Sequence, residues 1–306
     1  MKKTLLTLLI PCAFGANAAY EQAHDPHVVG GLPTLTCEMT IKEPVEPPIP
    51  PGEIHNPDGY YDSALDKTGD ELKLALNNII STGITKLPYT DNSSPDAMDV
   101  WKALMITDED PNDSSNVILM YTGRSQLKTL NSSSDNGGDA WNREHSYPKS
   151  NGGFNDNRAS AYTDIHHLRP TDASINSERS NLEFDNGGSP TSESPAAGNK
   201  KDGDSFEPRD AVKGDVARMM FYMATRYEGK DTSDVSNPDL ELVSTVSGNG
   251  TALGNVCRLL EWNTADPIDD FEFERNSKIQ KIQGNRNPFV DNAQWAEVIF
   301  RKDCTE

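Results

Sequence analysis

Apolar residues recur at near-helical spacing from Glu71 onward, at Leu72, Leu74, Leu76, Ile79 and Ile80, with Gly83 as a stop. The same period predicts helices from Pro95 through Trp101, Leu104 and Met105, from Val212 through Met219, Met220 and Met223 to Tyr227, and over 269–283 with Gly284 beyond. Short continuous apolar runs predict buried strands instead. One covers 117–121 and ends near Gly123; another covers 164–168, with Pro170 enforcing a break. Stretches 131–138 and 187–203 have the Gly, Ser, Asn and Pro content of loops. No repeat period appears, so the pattern predicts an α+β fold, a mixed, largely helical single domain.

The N-terminus changes this picture. Lys2 and Lys3, an apolar run over 5–14 and Ala16-Asn17-Ala18 predict a signal peptide, residues 1–18, cleaved before Ala19. That run is too short to span a bilayer, and no later stretch approaches about 18 apolar residues, so no membrane partner is expected. Residues 19–57, centred on Pro44-Val45-Glu46-Pro47-Pro48-Ile49-Pro50-Pro51, predict an extended polyproline-like segment and leave 58–306 for the folded domain. Export places the chain in an oxidising compartment, where Cys257 and Cys304 are candidates to close a loop and Cys37 is the odd one out. The 28 Lys plus Arg against 48 Asp plus Glu give a formal charge of −20, which becomes −22 once the leader is lost. That balance excludes a generally basic protein that coats DNA.

Candidate chemistry concentrates in residues 141–181, which hold W-N-R-E-H-S-Y-P, Y-T-D-I-H-H-L-R-P and A-S-I-N-S-E-R-S-N. Here Arg143, Lys149, Arg158, Arg169 and Arg179 balance Glu144, Asp156, Asp164, Asp172 and Glu178, a near-neutral island in an acidic chain. Guanidinium groups suit bidentate contact with phosphate oxygens, so phosphate chemistry is the leading expectation. Glu144 supplies a hard carboxylate oxygen for a divalent ion, and His145 an imidazole able to take a proton from water. Successive strand residues point to opposite faces, so the two approach one phosphate only where the strand ends or bends. Asp172 is placed to cap a helix running to Asn181, one turn into which Asn176 offers an uncharged amide oxygen to the same ion. Only one of His166 and His167 can easily face such a site.

On these residues the window resembles the catalytic core of the endonuclease I family, secreted or periplasmic nucleases of the ββα-metal (His-Me finger) class. Similarity continues in 214–223 and 281–290. The resemblance implies a ββα-metal motif, His145 as general base, Glu144 and Asn176 as metal ligands, and an arginine near the cleaved phosphate. Arg158 is the candidate for that last task, with Arg169 and Arg179 competing. Arg143 and Arg218 join these two as candidate substrate contacts.

The expected activity is hydrolysis of DNA and RNA phosphodiesters with little sequence specificity, leaving 5′-phosphates and using Mg²⁺, or Ca²⁺ or Mn²⁺ in its place. The protein is expected to act as a monomer, in the periplasm or outside the cell. Activity is expected to fall in acid as His145 protonates, around the ordinary histidine value of about 6.5. Two other classes compete. One is a zinc hydrolase built on His145, His166 and His167; the other is a noncatalytic calcium-binding secreted module using Asp108-Glu109-Asp110 and Asp113.

Overall fold

Helix α1 spans Gly69–Ile80 and buries Leu72, Leu76 and Ile80, the stripe its spacing predicts. Helix α2 spans Val100–Thr107 and starts later than its apolar pattern, because the side chain of Asp99 accepts from the Lys102 N–H at 3.0 Å and caps it there. The computed structural model describes residues 53–94, 96–132, 140–156, 158–229, 238–245 and 250–305. These belong to one unit, Pro48–Glu306. The leader, most of the Pro-rich segment, Cys37, Pro95 and most of 131–138 lie outside the described residues.

Strands β1 (Glu109–Asp110), β2 (Asp113–Ile118) and β3 (Ser125–Leu127) form an antiparallel sheet in that order. The run at 117–121 therefore gives only its first residues to β2. Leu119, Met120 and Tyr121 pack inward past its end, and the Met120 N–H bonds to the Pro170 carbonyl at 2.9 Å.

Next come strand β4 (Trp141–His145), helix α3 (Lys149–Gly152), strand β5 (Leu168–Asp172) and helix α4 (Ala173–Arg179). Strands β4 and β5 pair antiparallel, Trp141 opposite Asp172 and His145 opposite Leu168. The strand expected over 164–168 is displaced: 164–167 form a turn, and β5 begins where that strand was to end. Pro170 lies inside β5 opposite Arg143 rather than breaking it. A proline withholds only its N–H, and its carbonyl is used by Met120 on the far side.

The loop-like stretch 187–203 also carries two short strands. β6 (Glu183–Phe184), β7 (Ser189–Pro190), β8 (Lys200–Lys201) and β9 (Ser205–Glu207) make a sheet ordered β6-β9-β8-β7. Pairs of two residues leave no periodic signal to detect.

Helix α5 (Lys213–Arg226) is buried over nearly its whole length. A Cβ at Gly214 would lie 2.0 Å from the Asp266 carbonyl, so only glycine permits this approach. A small parallel pair, β10 (Glu241–Leu242) and β11 (Ala252–Leu253), precedes α6 (Val256–Ala265), α7 (Asp270–Gln283), α8 (Pro288–Asp291) and α9 (Gln294–Phe300). Helix α7 has the expected limits: Asp269 caps it through the Glu272 N–H, and Gly284 closes it at φ +101°. Cys257 and Cys304 are joined with Cα atoms 4.9 Å apart, tying α6 to the chain beyond α9. Among the described residues no helix is long and apolar enough to cross a membrane.

Two apolar clusters form the core. One gathers α1, α5, α6 and α9 residues with Tyr147, Phe154 and Ile175; the other joins Trp101 and Leu104 to Val117, Trp141, Leu168 and Ile279. The β4–β5–α4 unit contributes to both, so it is clamped from two sides.

The turn at 164–167 is a buried polar hub. Asp164 accepts from the hydroxyls of Tyr222 and Tyr227, both at 2.8 Å, and from Gln283 at 2.9 Å. Loss of hydration pushes His166 and His167 down to about 4, against the pull of Asp164. Their ordinary value is about 6.5, so their contribution to stability is full above that pH and is lost as pH falls toward 4, where the unfolded chain takes up protons first. That amounts to about 3 kcal/mol per histidine. We expect the ring resonances of His166 and His167 to show no titration between pH 7 and 5 in an NMR series on the folded protein. Inflections near 6.5 would contradict their burial as neutral rings.

Candidate active site

Helix α4 follows β5 without a linker, because Asp172 ends the strand and caps the helix. Its Oδ1 accepts from the Ser174 N–H at 3.0 Å and the Ile175 N–H at 3.4 Å. The helix stops at Arg179, short of the expected Asn181, since Ser180 adopts φ +54° and ψ −119°. Asn176 and Arg179 are three residues apart and share a helix face. Asn142 and Glu144 are two apart and share a strand face. These faces meet twice: Asn176 Nδ2 donates to Asn142 Oδ1 at 2.7 Å, and Arg179 Nη1 donates to Glu144 Oε1 at 2.9 Å. The double contact places Asn176 and Glu144 on one cleft.

Glu144 is 2% exposed and still lines a cleft of about 390 Å³. Its Oε1 accepts from both Arg179 and the Tyr121 hydroxyl, the latter at 2.8 Å, whereas Oε2 takes no hydrogen bond from the described residues. Burial pushes the carboxyl up, opposed by the Arg179 charge and the Tyr121 bond. The Asn176 amide oxygen likewise accepts nothing among the described residues, and Asn176 lines the same cleft. One anionic and one neutral hard oxygen are donors that suit a divalent ion such as Mg²⁺ or Ca²⁺.

His145 ends β4 and lines this cleft at 8% exposure. Its Nε2 lies 3.0 Å from the Tyr162 carbonyl oxygen. A carbonyl only accepts, so Nε2 carries the proton and Nδ1 keeps a basic lone pair. Nδ1 has no hydrogen-bond partner among the described residues. Loss of hydration, the neighbouring His167, and the cations of Lys149 and Arg143 hold His145 well below the ordinary histidine value. The imidazole is therefore neutral at pH 6.5, and the acid limb expected there moves lower. Tyr162 and Tyr89 wall the ring, at 5.0 and 5.7 Å between centroids.

His166 and His167 do not join His145 in a metal triad. Their Nε2 atoms meet the carbonyls of Asn285 at 3.2 Å and Ala161 at 2.8 Å, so each uses its ring proton internally. Among the described residues the grouping of acids and imidazoles close enough to share an ion is Glu228, Asp239 and Glu241, which contains no histidine. Asp108 of the acidic stretch is buried against Arg169 and Arg275.

The arginines separate. Arg143 lines the cleft, its guanidinium 3.4 Å from the Tyr89 ring centre and 4.0 Å from that of Trp101. Arg158 is 82% exposed and rests on Asp156 at 2.7 Å, beside a second depression lined by Phe154 and Ala159. Arg179 serves inside the protein rather than facing substrate: besides Glu144 it donates to the His145 carbonyl at 3.0 Å and the Ser146 carbonyl at 2.6 Å. Arg169 is also withdrawn from the cleft, with Nε 2.6 Å from Asp108 and Nη1 3.1 Å from Asp215. Arg218 forms a buried fork with Glu272 at 2.7 and 2.6 Å. Charge clustering along the chain pointed Arg169 and Arg179 outward, and Arg218, in a stretch that shares the family resemblance, was expected to contact substrate; burial against carboxylates assigns all three to the interior.

Sequence reasoning missed Tyr121, Tyr89 and Tyr162, and the cleft rim of Ser150, Ser180 and Asn181, which Lys149 of the basic island joins. No spacing rule links Tyr121 to a carboxylate 23 residues away.

A family model described as Endonuclease I matches residues 68–294. The chain is 52% identical over 246 residues to an extracellular ribonuclease of Bacillus subtilis (strain 168), covering 79% of this chain and 78% of that protein. It is equally identical over 244 residues to an extracellular ribonuclease of Bacillus amyloliquefaciens, covering 79% and 78%. An extracellular deoxyribonuclease of Aeromonas hydrophila is 29% identical over 131 residues, 42% of this chain and 49% of that one.

Removing Arg179 strands a buried carboxylate, so Arg179→Met is expected to lower stability by about 3–5 kcal/mol. Tyr121→Phe, which deletes one bond to a charged oxygen, should cost about 1–3 kcal/mol. Urea denaturation at pH 7 checks both; an Arg179→Met loss under about 1 kcal/mol would contradict the pairing.

Proposed function

Since the chain belongs to the endonuclease I family, we propose that it is an exported, metal-dependent nuclease that hydrolyses phosphodiester bonds of RNA and DNA with little sequence preference. In this reading β4, β5 and α4 are the ββα-metal unit, and cleavage leaves 5′-phosphates. The observation that carries it is the cleft shared by a tautomer-locked His145, an available Glu144 Oε2 and the Asn176 amide oxygen. Similarity to proteins named for RNA and to one named for DNA supports both substrates. The residues 1–18, together with relatives named extracellular, support export. All the groups invoked lie on one chain, which fits a monomer.

His145 Nδ1 accepts a proton from water, aiming the oxygen at phosphorus opposite the leaving 3′-oxygen, while the Tyr162 carbonyl keeps the ring from turning. Glu144 and Asn176 would hold Mg²⁺, with Ca²⁺ or Mn²⁺ as substitutes; when bound, the ion supplies positive charge for the phosphate and the leaving oxygen. Arg143, stacked between two aromatic rings, and Lys149 present fixed positive charge to the phosphate backbone on the cleft wall. Arg158, exposed and paired among the described residues with Asp156 at the surface, exchanges that partner for a phosphate oxygen. The tyrosines around His145 exclude bulk water and help to keep it neutral.

Incubation of plasmid DNA and of RNA with the protein and Mg²⁺ is expected to give cleavage that EDTA abolishes and His145→Ala reduces at least about 100-fold. Because His145 sits below its ordinary value, kcat/KM should stay level as pH falls to about 6.5 and decline only at lower pH. Cleavage that survives EDTA or the substitution, or an acid limb above 6.5, would overturn the assignment.

A further inference from the structure

Asn142 is two residues before Glu144 on β4, on the face that meets α4. Its Oδ1 accepts from Asn176 Nδ2 at 2.7 Å. An asparagine amide carries its oxygen and its NH₂ on one carbon, on opposite sides. Engaging the NH₂ therefore leaves the oxygen of Asn176 without a hydrogen-bond partner among the described residues, on the cleft that Glu144 also lines. The choice matters chemically. The amide oxygen offers lone pairs to a cation, whereas the NH₂ presents hydrogens of positive partial charge. An unrestrained amide has a broad, two-fold terminal torsion and populates both orientations.

We propose that Asn142 is a positioning residue that sets the Asn176 amide so that its oxygen, and not its NH₂, meets the divalent ion. This rests on the metal reading given above. Asn142 lies opposite Thr171 in the β4–β5 pair, one register step from Arg143 and Pro170, and the Asn176 contact is what carries the assignment. Asn142 touches neither the ion nor the water; it acts through Asn176 alone.

Calorimetric titration of the full mature chain with Mn²⁺ tests the assignment without measuring cleavage. Asn142→Val removes the acceptor and favours a strand, so β4 is expected to persist, with a thermal midpoint in EDTA lowered by no more than about 4 °C. Asn142→Asp keeps an acceptor and has no donor, so it enforces the same amide orientation. The expected result is that Val weakens Mn²⁺ binding about 10- to 100-fold, while Asp stays within about threefold of the parent or tightens it. Val within about threefold of the parent, or Asp as weak as Val, would overturn the role of Asn142. Glu144→Gln and Asn176→Ala are run alongside. If these leave Mn²⁺ affinity unchanged, the metal reading itself fails; if they weaken it and Val does not, only the positioning role fails.

Discussion

A single guanidinium determines whether a carboxylate can stay ionised below the surface of the cleft. Arg179 reaches from the end of α4 to Glu144 Oε1, and its Nη1 and Nη2 also donate to the His145 and Ser146 carbonyls. The same side chain therefore supplies charge to the buried acid and fixes the strand end from which both Glu144 and His145 enter the cleft. Tyr121 adds a second bond to Oε1, and among the described residues Oε2 has no hydrogen-bond partner. Had both oxygens been satisfied, Glu144 would be a closed ion pair; with neither satisfied, burial would favour its protonated form. In the proposed reading, the half-satisfied carboxylate is what would let a structural contact also serve as a ligand.

This interaction is short-range in space and long-range in sequence, which explains what the sequence could and could not disclose. The Asp172 cap and the 270–283 helix with its closing glycine follow local chemistry and were legible; the Cys257–Cys304 pair, 47 residues apart, was a candidate because export implies an oxidising compartment and cysteines are few. Glu144, His145 and Asn176 were legible as a set because their spacing matches a family pattern, and all three line one cleft. The fate of the arginines was not. Arg169 finds Asp108 across 61 residues and Arg218 finds Glu272 across 54, and nothing in residue type distinguishes a guanidinium that will be buried from one that will meet phosphate. Pro170 misled for the opposite reason, a local rule overridden by context: β5 needed its carbonyl and not its missing N–H.

Charge is partitioned accordingly. A chain with 48 acidic and 28 basic residues spends Arg169, Arg179, Arg218 and Arg275 on internal carboxylates. The positive groups on the cleft, Arg143 and Lys149, are few but placed beside the reactive residues. Recognition of a polyanion would then depend on a local field at the cleft instead of a basic surface. The same cations, with burial, hold His145 below its ordinary value, so in the proposed reading substrate attraction and base readiness would come from one arrangement.

The most direct test is a crystal grown with Mn²⁺, with the ion located by its anomalous scattering. The account predicts a peak about 2.0–2.4 Å from Glu144 Oε2 and the Asn176 amide oxygen, on the cleft side of His145 Nδ1. An ion found instead on Glu228, Asp239 and Glu241, with the β4–α4 cleft holding none at saturating Mn²⁺, would contradict it.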